Sequence, residues 1–337
     1  MVSLVLFTLF TCLLRLPLIT ALKYHIDSSC THRTGVRPSV NEAIYAAQRT
    51  WSRMEGYTED DDIKHILWRL FGIETPDHPL FLHILSVMRR MGEATEIVNE
   101  PSQEDLVTRI FCDDDNRWKK SSVTTKKYYF WQTTSDIWID MTPQFRSVRG
   151  GITNYLFSRS TPPDCTNKDK RAVVTLYNST DEMYNSMTIC EPYSRMSGLT
   201  LERLAEDYPD EIPLRDNRAP SPKTVFSMII LYHLLNTAEF KNLIQPLPSV
   251  YLDWEPCVIM PERMAARNVQ NYAYLAMLAL LGDYGLTLHY RPDEDEDESE
   301  FDSPEEYDDY QDRGTPTFGY LVRTPYYEPG APWPPRD

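Results

Sequence analysis

Beyond its first twenty-one residues the 337-residue chain has no apolar run long enough to span a bilayer, for which a helix needs roughly 20 such residues. It also has no G-x-S-x-G elbow, no Walker loop and no G-x-G-x-x-G fingerprint, so that the commonest serine-hydrolase, P-loop and dinucleotide chemistries are without their motifs. No cysteine pair has C-x-x-C spacing, which speaks against a cysteine zinc site. No two histidines stand four apart: His25, His32, His65, His78, His83 and His289 are scattered singly. Positive charge is short as well, with 34 Lys and Arg against 50 Asp and Glu. A net charge of −16 offers none of the basic surface that a nucleic-acid binder needs. No internal repeat is present.

What the chain does carry begins with an export signal. Leu4 to Leu14 is apolar, Met1 to Ala21 holds no acidic residue, and Thr20 and Ala21 are small. Residues 1–21 therefore read as a secretory signal peptide, with a secreted, extracellular product and no membrane span in the mature chain. Cys12 leaves with the signal, and Cys30, Cys112, Cys165, Cys190 and Cys257 stay. An oxidising compartment favours disulfides among them, and an odd number leaves at least one unpaired or bridging between chains. Asn178-Ser179-Thr180 is a glycosylation sequon, in keeping with export.

Residues 22–290 have the length and helix signals of one globular domain. Ser39 with Glu42 makes a capping box ahead of Val40, Ile44, Ala47, Trp51 and Met54 at helical spacing. A second helix follows from Thr58, with Ile63, Ile66, Leu67, Leu70 and Phe71 as its apolar stripe and Gly72 as its stop. A third starts at Asp77 before Pro79 and runs to about Met91. Leu106 to Phe111, Ala172 to Tyr177 and Met187 to Cys190 read as short strands, and Asp113 to Arg149 as further irregular strands. Helices return after Ser221-Pro222, through the apolar run Val225 to Leu235, and again from near Pro261 to about Leu281, closed by Gly282. The expected class is α+β.

From 291 to 337 the expectation is a disordered tail. Asp293 to Asp312 holds most of the excess negative charge and buries too little apolar surface to offset its ordering entropy. Phe318, Tyr320, Tyr326, Tyr327 and Trp333 lie in the Pro- and Gly-rich end, available to a partner or to fold back. Asp113 to Asp115 lacks the glycine and terminal glutamate of a calcium loop and reads as an exposed turn.

Three stretches, in order, carry a resemblance. They are Tyr24-His25-Ile26-Asp27-Ser28-Ser29-Cys30 with Phe111-Cys112-Asp113-Asp114-Asp115, the apolar helix ending in His233-Leu234-Leu235-Asn236-Thr237, and Asp253-Trp254-Glu255-Pro256-Cys257 followed by Asn268-Val269-Gln270-Asn271-Tyr272-Ala273. Together they resemble the fungal deuterolysin-type and lysine-specific zinc endopeptidases. The resemblance implies a zincin-like domain with a helical N-terminal part, a small irregular sheet and two core C-terminal helices. It also implies a Cys30–Cys112 bridge; the further expectation is a Cys165–Cys190 bridge, with Cys257 unpaired.

The chain departs from the family where the chemistry resides. In H-E-x-x-H, two histidines four apart share a helix face and hold zinc, and the glutamate acts as general base on the metal-bound water. Here His233 keeps the first ligand position, Leu234 replaces the base, and Thr237 replaces the second ligand. Asp253 matches the third ligand in order, but Pro256 and Cys257 stand where the motif has Tyr and Gly. Asn268 and Tyr272 match the later helix motif, on one face and in a structural role, with Gln270 in place of its aspartate. Glu239, six residues past His233, points away from the ligand face if the helix is continuous. One histidine and one carboxylate fall short of the three protein ligands of a catalytic zinc. Losing the base alone costs on the order of 10²–10⁴ in rate.

The expectation is a catalytically silent, metallopeptidase-like protein without a cofactor, acting by binding a protein, a peptide or a surface polymer. His233 as a core histidine and Asp253 as a turn cap are the corresponding structural roles. The alternatives are an active zinc endopeptidase with a rearranged site and an extracellular cation binder that uses the acidic tail.

Overall fold

Strand β1 (Lys23–Ile26) leads through a 3-10 turn at Ser28–Cys30 into helix α1 (Val36–Glu55). The helix starts one turn before the capping box places it. Gly35 is the N-cap, the Ser39 amide bonds the Gly35 carbonyl, and Pro38 sits in the first turn, where a proline costs no hydrogen bond. Ser39 is thus interior and buried, and Glu42 is released from capping. Val36, Val40, Ala43, Ala46, Ala47, Thr50 and Met54 form the buried stripe.

Helix α2 (Asp61–Phe71) is capped by Asp60, whose carboxylate accepts the Ile63 amide at 2.9 Å. It ends at Gly72 with φ 70°, a left-handed position that glycine takes without steric cost. Helix α3 (Pro79–Gly92) follows, with His78 as its cap. Next come β2 (Thr95–Glu96), β3 (Thr108–Phe111), and β4 (Trp118–Lys120), β5 (Tyr129–Gln132) and β6 (Ile137–Asp140), which form their own antiparallel meander. The long hairpin β7 (Ala172–Ser179) and β8 (Glu182–Ile189) completes the main sheet.

That sheet has the order β2-β1-β3-β8-β7. Its first four strands run parallel, with Tyr24 opposite Thr108 and Ile110 opposite Met187, and β7 closes it antiparallel. Parallel neighbours require crossover connections, and α1, α2 and α3 supply the one between β1 and β2.

Helix α4 (Leu201–Asp207) and strand β9 (Glu211–Pro213) precede α5 (Phe226–Leu235), α6 (Ala238–Ile244), α7 (Trp254–Ile259), α8 (Glu262–Ala265) and α9 (Val269–Asp283). The single final helix expected from Pro261 is therefore two: Asn268 takes an extended conformation and starts α9 anew. Nor is Gly282 the stop, since α9 runs to Asp283 and the left-handed glycine is Gly285, φ 79°. A Cβ at Gly282 would run into the Arg53 guanidinium, so close approach explains that residue.

Strands β10 (Leu286–Arg291) and β11 (Phe318–Arg323) form an antiparallel pair, and β9 flanks β11 on its other side. Leu321, fully buried, stands opposite Leu288 and Ile212. An unstructured tail from 291 onward is thereby corrected for residues 318–323. Averaged over the whole tail, composition hid a short apolar strand of high β propensity. The Asp293–Asp312 run falls between β10 and β11 in sequence and lies outside the described residues.

The computed structural model describes residues 21–99, 101, 107–112, 118–120, 129–132, 137–140, 172–179, 182–189, 200–207, 211–214, 225–244, 254–291 and 318–323. Ser221-Pro222, expected to cap α5, lies outside them. At the coarse level the fold is mixed helix and sheet, as α+β implies.

Close contact between α1 and α3 depends on Gly92. A Cβ there would lie 2.7 Å from the Gln48 Cα and 2.9 Å from its amide nitrogen, both backbone atoms that cannot swing aside. Gly92→Ala is expected to lower stability by about 1–3 kcal/mol, read as a reduced urea midpoint at unchanged slope.

Candidate functional site

Helix α5 is apolar on nearly every side. Phe226, Ser227, Met228, Ile229, Ile230, Leu231, Leu234 and Leu235 are buried, while Tyr232 and His233 are only partly so. Such a helix has no solvent face and must be packed on all sides. It lies against α1, α9 and the edge strand β7. His233 thus marks the less buried side of α5, with its ring edge-on to Tyr232 at 5.2 Å. Burial alone pushes its pKa down to about 4, so the imidazole is neutral at neutral pH.

The other motif positions go elsewhere. Leu234 is 0% exposed and belongs to the core. Helix α5 ends at Leu235 with Asn236 as its C-cap. Thr237 therefore lies beyond the helix, buried, with its hydroxyl donating to the Leu234 carbonyl at 2.6 Å. A pair four apart shares a face only within one helix, and the helix stops between these two. Asp253 lies outside the described residues. Among the described residues, no three His, Cys, Asp or Glu side chains converge as a metal would need.

The break after Leu235 also changes the position of Glu239, because a continuous helix no longer carries it. It sits in the first turn of α6, with Oε1 3.5 Å from the Thr108 hydroxyl of β3. Burial raises its pKa, and Arg90 of α3 is among the groups opposing that rise. The sequence signal for the break was Asn236-Thr237, a pair that favours helix ends.

Asn268 and Tyr272 belong to a buried polar knot whose centre the motif comparison passed over. Asn271, fully buried on α9, donates to the Leu70 carbonyl at 2.8 Å and the Cys257 carbonyl at 2.9 Å. Those carbonyls end α2 and α7, where helices leave C=O groups without internal partners. One amide thus closes two helix ends. Asn268 Nδ2 donates to Asn271 Oδ1 at 2.7 Å and lies 3.4 Å from the Cys257 sulfur. The Tyr272 hydroxyl donates to the Ala266 carbonyl at 2.8 Å, and its ring meets Phe71 edge-on at 5.3 Å. A fully buried Asn within an apolar helical run is the signal that could have pointed to this knot.

Cys30 and Cys112 are joined, S–S 2.06 Å, and tie the turn after β1 to the end of β3. Cys257 is a buried thiol beside Asn268, and Cys165 and Cys190 lie outside the described residues. Asn178 lies in β7 opposite Met183, one pair from the end of the hairpin, and Thr180 of the sequon is outside the described residues. No helix among the described residues is long and apolar enough to cross a membrane. No protein-family profile, curated protein or solved structure matches the chain.

Replacing Asn271 with alanine strands two buried carbonyls at helix ends. Asn271→Ala is expected to cost about 2–4 kcal/mol, measured by denaturant unfolding, whereas a surface substitution such as Lys64→Ala changes it by less than about 0.5 kcal/mol.

Proposed function

We propose that this chain is a secreted, metallopeptidase-like protein that has lost proteolysis and acts by binding a protein, a peptide or a surface polymer. The observation that carries the reading is the fate of the His233 helix. The residue after the histidine is a core leucine, and the second-ligand position lies past the end of the helix with its hydroxyl engaged.

Two further features support the reading. The antiparallel edge strand β7 of the mixed sheet packs on α5, and α5 packs on α9 as a pair of core helices. The Cys30–Cys112 bridge is the one the resemblance implies. Neither feature depends on catalysis, so both persist when the machinery is lost. Binding needs only the scaffold and a surface, whereas peptide hydrolysis needs a metal, a base and a water within reach.

Metal analysis of the purified full chain is expected to find zinc well below one ion per chain. A lysine-containing peptide is expected to survive incubation at the rate of the protein-free control. Stoichiometric zinc together with chelator-sensitive cleavage would overturn the reading and restore the enzyme.

A further inference from the structure

The hairpin β7–β8 is longer than the sheet it belongs to. Its pairing runs without a skipped residue from Ala172 opposite Ile189 to Ser179 opposite Glu182. Strand β3, in contrast, pairs only with Ser186, Met187 and Thr188 of β8. Met187, Thr188 and Ile189 are buried, so the half of the hairpin nearest Ala172 belongs to the core. The other half, residues 176–179 with 182–185, is paired only to itself among the described residues. It extends the sheet as a two-stranded arm.

Strand β7 is also the edge of the main sheet. An edge strand keeps one row of amide and carbonyl groups unpaired and is a template for another strand, which folded proteins blunt with charge, proline or a bulge. β7 reads Ala-Val-Val-Thr-Leu-Tyr-Asn-Ser. It has no charged residue and no proline, its register has no bulge, and Val173, Val174, Thr175 and Tyr177 favour strands. Antiparallel pairing with the same strand of a second copy brings no like charges together in any register.

What the strand does carry is Asn178-Ser179-Thr180, the only Asn-x-Ser/Thr sequence in the chain. Asn178 is the seventh of the eight β7 residues, on the arm and opposite Met183. We propose that Asn178 carries an N-linked oligosaccharide that guards the β7 edge against pairing with a second copy of the chain. This modification rests on the export proposed above, because its donor, a lipid-linked oligosaccharyl diphosphate, is confined to the secretory lumen. The Asn178 amide nitrogen forms a bond to C1 of the first sugar, the bond from C1 to the diphosphate oxygen breaks, and the amide gives up one proton as the lipid diphosphate leaves. An asparagine-linked glycan is bulky and solubilising. Edge pairing requires a second strand to approach to about 4.8 Å, and the sugars on the arm occupy that approach while leaving the β7–β8 ladder intact.

The full chain recovered from the medium of a eukaryotic secretory cell tests the guard. The peptide containing Asn178 is expected to carry N-linked hexosamine by mass, and the intact protein to scatter light as a monomer. Thr180→Ala removes the sequon without altering Asn178 or β7. That variant is expected to associate as its concentration rises, to about twice the monomer mass or more. Adding Tyr177→Lys, a charge on the edge strand, is expected to return it to monomer. An exported chain without carbohydrate at Asn178 overturns the proposal and leaves export standing, whereas a retained chain without carbohydrate overturns both. A glycosylated wild type that already associates, a Thr180→Ala chain as monomeric as the wild type, or association that Tyr177→Lys does not reduce also overturns it. If Thr180→Ala is not exported, folded wild type trimmed enzymatically to its first sugar decides: a trimmed chain that stays monomeric refutes the guard.

Discussion

A helix with no solvent face has to be surrounded, and α9 is such a helix: every residue from Val269 to Leu281 is buried. Helices α1, α2, α4 and α5 and strand β10 all pack against it, so the body is built around one rod. Apolar packing alone leaves such a rod free to slide or rotate, because hydrophobic attraction has no direction. Polar side chains fix its register. Asn271 and Tyr272 bind it to the ends of neighbouring elements at one end. At the other, Arg53 donates to the Ala279 carbonyl at 2.8 Å and Arg49 grips Asp283. Gly282 leaves room for the Arg53 guanidinium between them.

Helix α5 is the second buried rod, and its position limits what His233 can do. A catalytic zinc helix must show one polar face to a water-filled cleft, with two ligands and a base on it. In α5, Leu234 and Leu235 turn inward and the chain leaves the helix before the next polar residue of that face. Leu234 contributes to packing, and Thr237 past the last turn satisfies a carbonyl that the helix leaves open.

Much of this frame was legible in the residues, and the exceptions share one cause. The α2 stripe, its Gly72 stop, the start of α3 and the apolar span of α5 follow from local periodicity and local caps. What local rules missed was decided by distant partners. Ser39 and Glu42 satisfy the capping-box pattern, yet the helix begins earlier because Pro38 suits its first turn, and Glu42 serves α4 and α5, 159 and 185 residues away in sequence. Gly282 looks like a stop and is a clearance for an arginine 229 positions earlier. β11 lies beyond an acidic run and shows itself only through its pairing with β10 and β9. At the candidate site, the core position of Leu234 was legible in the apolar run that contains it. The displacement of Thr237 from the helix was not, since it depends on where α5 ends.

Buried charge gives the molecule opposing responses to protons. Asp60 and Asp62 both bind Arg53, at 2.6 and 2.8 Å, but they shift in opposite directions. Asp60 has two bonds from the guanidinium and one from the Ile63 amide, and its pKa is lowered. Asp62 shares the same cation from a drier position, and desolvation raises it. Neutral His233 and ionised Asp60 favour the fold at higher pH, and their contribution is lost as the pH falls through their folded pKa values. Glu42, Asp62 and Glu239 act in the reverse sense, favouring the fold at low pH and losing that contribution as the pH rises. The two sets oppose each other across the span between the carboxylate and histidine ranges, so that raising or lowering the pH there strengthens one set as it weakens the other.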